Sequence, residues 1–533
     1  SSGTSGINPG QGGSIFIERG EVTISGSTFS ENYCSEGMAI YIKNNEGRLT
    51  INDNSKFINN LNFKQIKDKQ YAIESYSQNI DISDTEFIIK FDSQTQETYE
   101  YQCGFIHLLN FGNIMIKDSN FSNSHFRSSI FYDMTETSTS KDNSFRIEGC
   151  KFDECLTNVI NIVTPTESLE TIRMTSCIFN KCTNRDSKES NTIEISKDCK
   201  SITLIIEDNT FNNCGKPQDN NFVLKVSLDE APDGLDAILI ENNVITFDDI
   251  DTACNGIKIS QANRAITIRN CSFTRCYKTT NETPWENSLS LNRFKEAEID
   301  GCQFFDCGAV STGSGGGNVI GIESEVSHCI IRGCLIEFSS SDKGGSGISS
   351  FMDNILIENN SFIKCYENTI RIQCRKEGSN KFELINNHFS GSREGSILFF
   401  KDGNGGNTYL TQQPAIKDNT FDDIEVLQGD EQAFIIGISK TIDEIEFYNN
   451  TFNNLHTHLT NFGFDIYEEE GRTPETALHI KYTDANSQII IKNPELLIKL
   501  KTLKSHTMDA HLKAINAKIM AVVFISTIIT KPS

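Results

Sequence analysis

Two acid pairs, Asp248-Asp249 and Asp422-Asp423, are the residues of this sequence whose type and spacing could support carbohydrate cleavage. Asp251 extends the first pair into a local carboxylate cluster, and Lys258 follows shortly after. A polysaccharide lyase needs such a set, because carboxylates must converge on one cation while a basic group abstracts a proton. A glycoside hydrolase needs two carboxyl groups flanking the scissile bond. Carbohydrate cleavage by Asp248, Asp249 and Asp251 is therefore the catalytic alternative for this chain. The preferred reading makes both acid pairs solvated turn residues at one common position after a corner, since Asp favours turns. Arg293-Phe294-Lys295 reads as plain surface in a long loop after Trp285, and His456 and His458 as neighbours on an ordinary strand edge. No cofactor and no metal centre are expected.

The 17 cysteines are the other chemically loaded group, and eleven of them fall in two fixed columns. Cys150, Cys177, Cys271, Cys302 and Cys334 lie two residues before a recurring anchor; Cys155, Cys182, Cys214, Cys276, Cys307 and Cys365 lie three after it. Coils such as Cys150-Lys151-Phe152-Asp153-Glu154-Cys155 therefore read C-x-F-x-x-C. Zinc would demand tetrahedral convergence, whereas these columns alternate freely with Ser and Asn. Buried packing thiols are the first reading and some disulfides the second. An odd total leaves at least one thiol without a partner in the chain.

What positions these residues is a repeat. Its anchors are Phe29, Phe57, Phe87, Phe121, Phe152, Phe179, Phe211, Ile245, Phe273, Phe304, Ile336, Phe362, Phe389, Phe421 and Phe452. Their mean spacing is about 30 residues, a period that marks a repeat array. Seven and five residues before an anchor sit apolar pairs such as Ile266 and Ile268, or Ile355 and Ile357, the inward face of a short strand. Three before the anchor stands Gly, Asn, Asp or Ser, as in Gly26, Asp84, Ser176, Asn242 and Asn386. These residues tolerate the left-handed backbone a tight corner requires. Two before the anchor is a small polar group. The expected ladder runs through Cys150, Cys177, Asn209, Cys271, Cys302, Cys334, Asn360, Asn387, Asn419 and Asn450, with Asn amides bonding from coil to coil.

The pattern predicts an all-β fold: a right-handed single-stranded parallel β-helix of about fifteen coils, pectate-lyase-like in architecture. The hand follows from the crossover rule for parallel strands. An α-solenoid is disfavoured by strand-length apolar runs, and a β-propeller by the period. The solenoid is expected over residues 1–493. Residues 494–533 form a second segment, basic in character, read as a helical cap or a truncated anchor. Its apolar run from Ile519 to Thr530 is too short to span a bilayer. The start, Ser1-Ser2-Gly3, carries no signal pattern, and a processed chain or a fragment is expected.

Gly12-Gly13-Ser14-Ile15 followed by Phe29-Ser30-Glu31-Asn32 resembles the GGAI and FxxN signatures of polymorphic outer-membrane protein (Pmp) repeats. Phe57-Ile58-Asn59-Asn60 repeats the second half, and Phe179-Asn180-Lys181-Cys182 resembles the variant found in Pmp-like surface families of parasitic protists. The resemblance covers roughly residues 1–455 and implies a surface-exposed, adhesin-like protein. It has no counterpart here for the bacterial autotransporter barrel. Polygalacturonases, which share the architecture, resemble one another in a Gly-His-Gly that this sequence lacks.

The function expected is a cell-surface or secreted scaffold that binds a cell-surface protein or glycan through side loops, without catalysis. A purely structural coat component is a further class. The longest insertions lie near 91–103, 278–296, 308–328 and 402–413, and the single Trp285 falls in the second. A net charge of −24 argues against nucleic acid. Membrane attachment is expected only through a missing or truncated carboxyl-terminal anchor. N-glycosylation acceptors stand at Asn120, Asn270, Asn281, Asn359 and Asn449.

Overall fold

The structure is a computed structural model. It describes residues 13–32, 38–43, 47–59, 70–90, 103–109, 112–124, 128–133, 143–156, 158–163, 171–182, 191–196, 203–215, 221–228, 237–249, 253–260, 265–278, 288–309, 318–323, 328–339, 346–351, 354–365, 369–374, 381–392, 398–402, 415–426, 434–438, 444–453, 456–457, 464–467, 476–481 and 488–491. Every regular element among them is a β-strand.

One coil shows the logic of all. An opening strand, Ile130–Asp133, is followed by a central strand, Ser144–Glu148, and an anchor strand, Lys151–Asp153. In the central strand Phe145 and Ile147 are buried while Ser144, Arg146 and Glu148 face out, the period-two alternation of a pleated strand. Gly149 then turns the chain at φ 63°, and Cys150 points inward before the anchor Phe152. The same left-handed turn recurs at every corner read from the sequence, from Gly26 (φ 56°) and Asp84 (φ 46°) to Asn449 (φ 52°). Gly, Asn and Asp meet this demand at low cost; a bulky residue would pay for it in steric strain.

A second left-handed corner lies two residues after the anchor, as in Glu31 (φ 54°), Lys181 (φ 49°), Arg275 (φ 54°) and Lys364 (φ 53°). Sequence reasoning missed it, because the Asn, Asp and Gly of some coils (Asn59, Asn213, Asp423) alternate there with charged side chains that do not advertise a special backbone.

Like strands of successive coils pair in parallel and in register, which makes a right-handed β-solenoid with three sheets. The chain divides into two compact units, residues 1–294 and 295–533. In the first, anchors run from Phe29 to Phe273 and pair residue on residue, Phe121 with Phe152 and Phe211 with Ile245. The phenylalanine rings stack 4.7–4.9 Å apart from Phe29 to Phe211. In the second unit the anchors run from Phe304 to Phe452, and Phe362, Phe389 and Phe421 stack at 4.8 and 5.0 Å. Coils are thus counted within each unit, which differs from a single run of about fifteen. Burying each ring contributes about 1.5–3 kcal/mol, and aligned aromatic pairs about 0.5–1.5 kcal/mol more. Residues 494–533, read as a cap or anchor, lie outside the described residues.

Candidate functional site

The acid pairs occupy two different positions in their coils, not the common one expected. Asp422 ends the anchor strand Thr420–Asp422, and Asp423 forms the second left-handed corner at φ 52°. Asp248 and Asp249 follow the buried Phe247 and are exposed. Asp248 Oδ2 accepts from Asn213 Nδ2 at 2.7 Å, its N–H donates to Asn213 Oδ1 at 2.8 Å, and Arg275 Nη1 donates to its carbonyl at 2.8 Å. Asp248 therefore laces its coil to the coils before and after it. Asp251 lies outside the described residues. Lys258 holds its ammonium 5.1 Å from the Phe222 ring centroid, on the outward side of its opening strand. Among the described residues no group of three His, Cys, Asp or Glu side chains gathers to hold a metal.

Arg293-Phe294-Lys295 departs from the surface reading at its centre: Phe294 is buried at 2% exposure, while Arg293 turns at φ 54°. His456 lies on the strand His456–Thr457, which pairs with Glu425–Val426; His458 and Trp285 fall outside the described residues.

The inward polar positions form hydrogen-bonded rows. In the first unit the Cys177 N–H donates to Asn209 Oδ1 at 2.9 Å, and the Asn209 N–H and Nδ2 donate to Asn243 Oδ1 at 3.1 and 3.0 Å. Asn243 was not foreseen: it sits beside Asn242, which takes the left-handed corner, and only the structure shows which of the two adjacent Asn points inward. In the second unit the Cys334 N–H donates to Asn360 Oδ1 at 2.8 Å, and the row continues through Asn387 and Asn419 to Asn450. Where Cys replaces Asn, the thiol donates to backbone carbonyls instead: Cys150 Sγ to the Ile116 and Glu148 oxygens, Cys271 Sγ to Ile240 and Arg269, Cys302 Sγ to Asp300. The column after the anchor does likewise, with Cys214 Sγ 3.2 Å from the Phe179 oxygen. All these thiols are buried, and none is in a disulfide. Burial pushes Cys150, Cys155, Cys182, Cys329 and Cys365 well above the ordinary thiol value, so they rest as neutral donors.

Of the glycosylation acceptors, Asn120 opens an anchor strand, while Asn270, Asn359 and Asn449 are corner residues; all four are exposed. Asn359 Oδ1 accepts from Asn386 Nδ2 at 2.7 Å, whereas Asn449 Nδ2 itself donates to Asp418 Oδ1 at 2.8 Å. Asn281 falls outside the described residues.

Two outward features of the first unit were not legible beforehand. The opening sheet buries His107 against Glu74, Nδ1 to Oε1 3.7 Å, with the imidazole 4.8 Å from the Tyr71 ring and 5.1 Å from Phe131. The central sheet carries on its outer face a depression of about 320 Å³ lined by Arg48, Asn79, Asp81, Asn113, Met115, Ser144 and Arg146. Such a site needs residues from four coils to line up, and only the register reveals that.

No family model matches the chain, and no curated protein matches it. Among solved structures, a mutant of the PL6 family alginate lyase AlyGC aligns over 89% of this chain and 95% of its own length, at 10% identity and a TM-score of 0.14.

Proposed function

We propose that this chain is a surface-exposed or secreted, adhesin-like scaffold that binds a cell-surface protein or glycan and does not catalyse. The observation that carries the reading is the division of labour within each coil. Inward positions are consumed by the aromatic stack and the polar rows, while outward strand positions stand in register, rung upon rung, as fixed columns free to meet a partner. A rigid scaffold of this kind supports recognition because its surface groups lose little freedom on binding. Of the acid pair that chemistry would need, Asp248 is engaged in bracing neighbouring coils, its carboxylate by Asn213 and its carbonyl by Arg275.

The test pairs binding with turnover. Fluorescently labelled full-length chain is expected to bind a panel of intact cells saturably, and to release no new reducing ends or unsaturated uronides from uronate-rich and neutral glycans, with or without calcium. Turnover that disappears in Asp249→Asn would overturn the proposal, as would the absence of saturable binding to every cell type.

A further inference from the structure

We infer that the outer face of the central sheet in the first unit is a groove for an anionic saccharide, with Arg146 as the group that recognises its carboxylate or sulfate. The inference deepens the binding reading above and rests on it for its biological setting, and it places recognition on one sheet face, where the sequence had pointed to side loops.

The groove is built from two outward columns. One runs Arg48, Asn79, Asn113, Ser144, Thr171; the other runs Thr50, Asp81, Met115, Arg146, Arg173, each residue in register with the next. Adjacent rungs are separated by about 4.8 Å, so the face offers repeated contacts to a linear polymer lying across successive coils. Within the depression, two guanidinium groups stand against one carboxylate. Their states differ. Arg48 is occupied, 4.0 Å from Asp81, and Arg173 next along is occupied by Glu207, Nη2 to Oε2 3.0 Å. Arg146, between them, is exposed and has no hydrogen bond or ion pair among the described residues. It is the unspent cation of the face, in a chain whose net charge is −24.

The surroundings select the ligand class. Ser144 Oγ donates to Asn113 Oδ1 at 3.0 Å, which leaves the Asn113 amide nitrogen as a donor to a sugar hydroxyl or carboxylate. Met115, half-buried between Asp81 and Arg146, gives a soft apolar floor for the face of a pyranose ring. A guanidinium matches the planar, two-oxygen geometry of a carboxylate or sulfate. Nucleic acid fits poorly: among its lining residues the depression has no aromatic side chain on which a base could stack.

Full-length protein is titrated calorimetrically with an oligogalacturonate, a sulfated galactan oligosaccharide and a neutral galactan oligosaccharide of equal length. At least one anionic ligand is expected to bind at least tenfold more tightly than the neutral one. Arg146→Ala should remove that preference, Arg146→Lys should restore part of it, and Arg332→Ala in the second unit should leave it unchanged. Raising the salt should weaken the anionic complex, as expected for an exposed charge. Whichever anionic ligand binds tighter identifies uronate or sulfate as the source of the charge. Equal binding of the neutral oligosaccharide, no binding of either anion, or wild-type affinity in a normally melting Arg146→Ala would overturn the inference. Cell binding that survives Arg146→Ala would overturn the groove's part in adhesion while leaving the adhesin reading intact. Groove binding without any cell binding would do the reverse.

Discussion

At the scale of single residues, backbone angle decides more than side-chain chemistry. Gly26, Asn270 and Asp418 hold the left-handed corner with the residue types best suited to it, whereas Ser176 holds it at φ 56° with a side chain that is not. Ser176 is exposed, and glycine removes the Cβ contact that makes this region costly. Ser176→Gly is therefore expected to raise stability by about 0.5–1 kcal/mol in urea denaturation. Arg275→Gly relieves the same strain at φ 54°, yet it also deletes the bond from the guanidinium to the Asp248 carbonyl. Its gain should be smaller than that of Lys364→Gly, whose φ is 53°. A loss of stability in both Ser176→Gly and Lys364→Gly would show that the corner strain is absorbed elsewhere. The first corner was legible in the sequence because its residue types are few. The second was less so, because Glu31, Glu154, Lys181, Arg275 and Lys364 share it with Asn59, Asn213 and Asp423, and the identity of a Glu, Lys or Arg does not report a positive φ.

At the scale of the strand and its row, polar groups inside the solenoid are tolerable only when fully bonded. Asn387 accepts from the Asn360 N–H and Nδ2, both at 3.0 Å, and donates to Asn419 Oδ1, to the Ile357 carbonyl and to the Ile385 carbonyl. Asn387→Ala strands these partners in a buried setting, where each unmet group costs about 1–3 kcal/mol. The expected loss is about 3 kcal/mol in urea denaturation, read with an unchanged strand signature by circular dichroism. Asn387→Cys should cost less, since a thiol at this position donates to carbonyls of the preceding coil and of its own, as Cys334 does to Ile299 and Arg332. Equal losses for Ala and Cys would mean that a thiol's bonds to the carbonyls do not substitute for the Asn amide in this row. The strands themselves were readable because Ile266/Ile268-type pairs alternate cleanly. The outer groove was not, because Arg48, Asp81, Met115 and Arg146 belong to separate coils and become neighbours only through register.

At the scale of the whole molecule, the cysteines make stability sensitive to alkali. Desolvation by burial raises the thiols of Cys150, Cys155, Cys182, Cys329 and Cys365 above the ordinary value of 9.0, and the unfolded chain returns them to that value. Below pH 9.0 both states keep the protons and stability is independent of these groups. Above it, the unfolded state releases protons that the folded state retains, so the slope of stability against pH is negative. Each such thiol contributes a fall of about 1.4 kcal/mol per pH unit until its folded-state value is reached. Urea midpoints measured under reducing conditions should therefore hold steady up to pH 9.0 and then drop steeply. Lysine and tyrosine ionise in the same range, so the thiol share is isolated by the double variant Cys329→Val with Cys365→Val. Both sites are fully buried, and valine suits a strand interior near Cys329. The variant's alkaline slope should be shallower by about 2.8 kcal/mol per pH unit, twice the single-thiol figure. An unchanged slope would mean that these two thiols ionise as readily in the folded chain as in the unfolded one. Burial of these two thiols would then carry no electrostatic consequence.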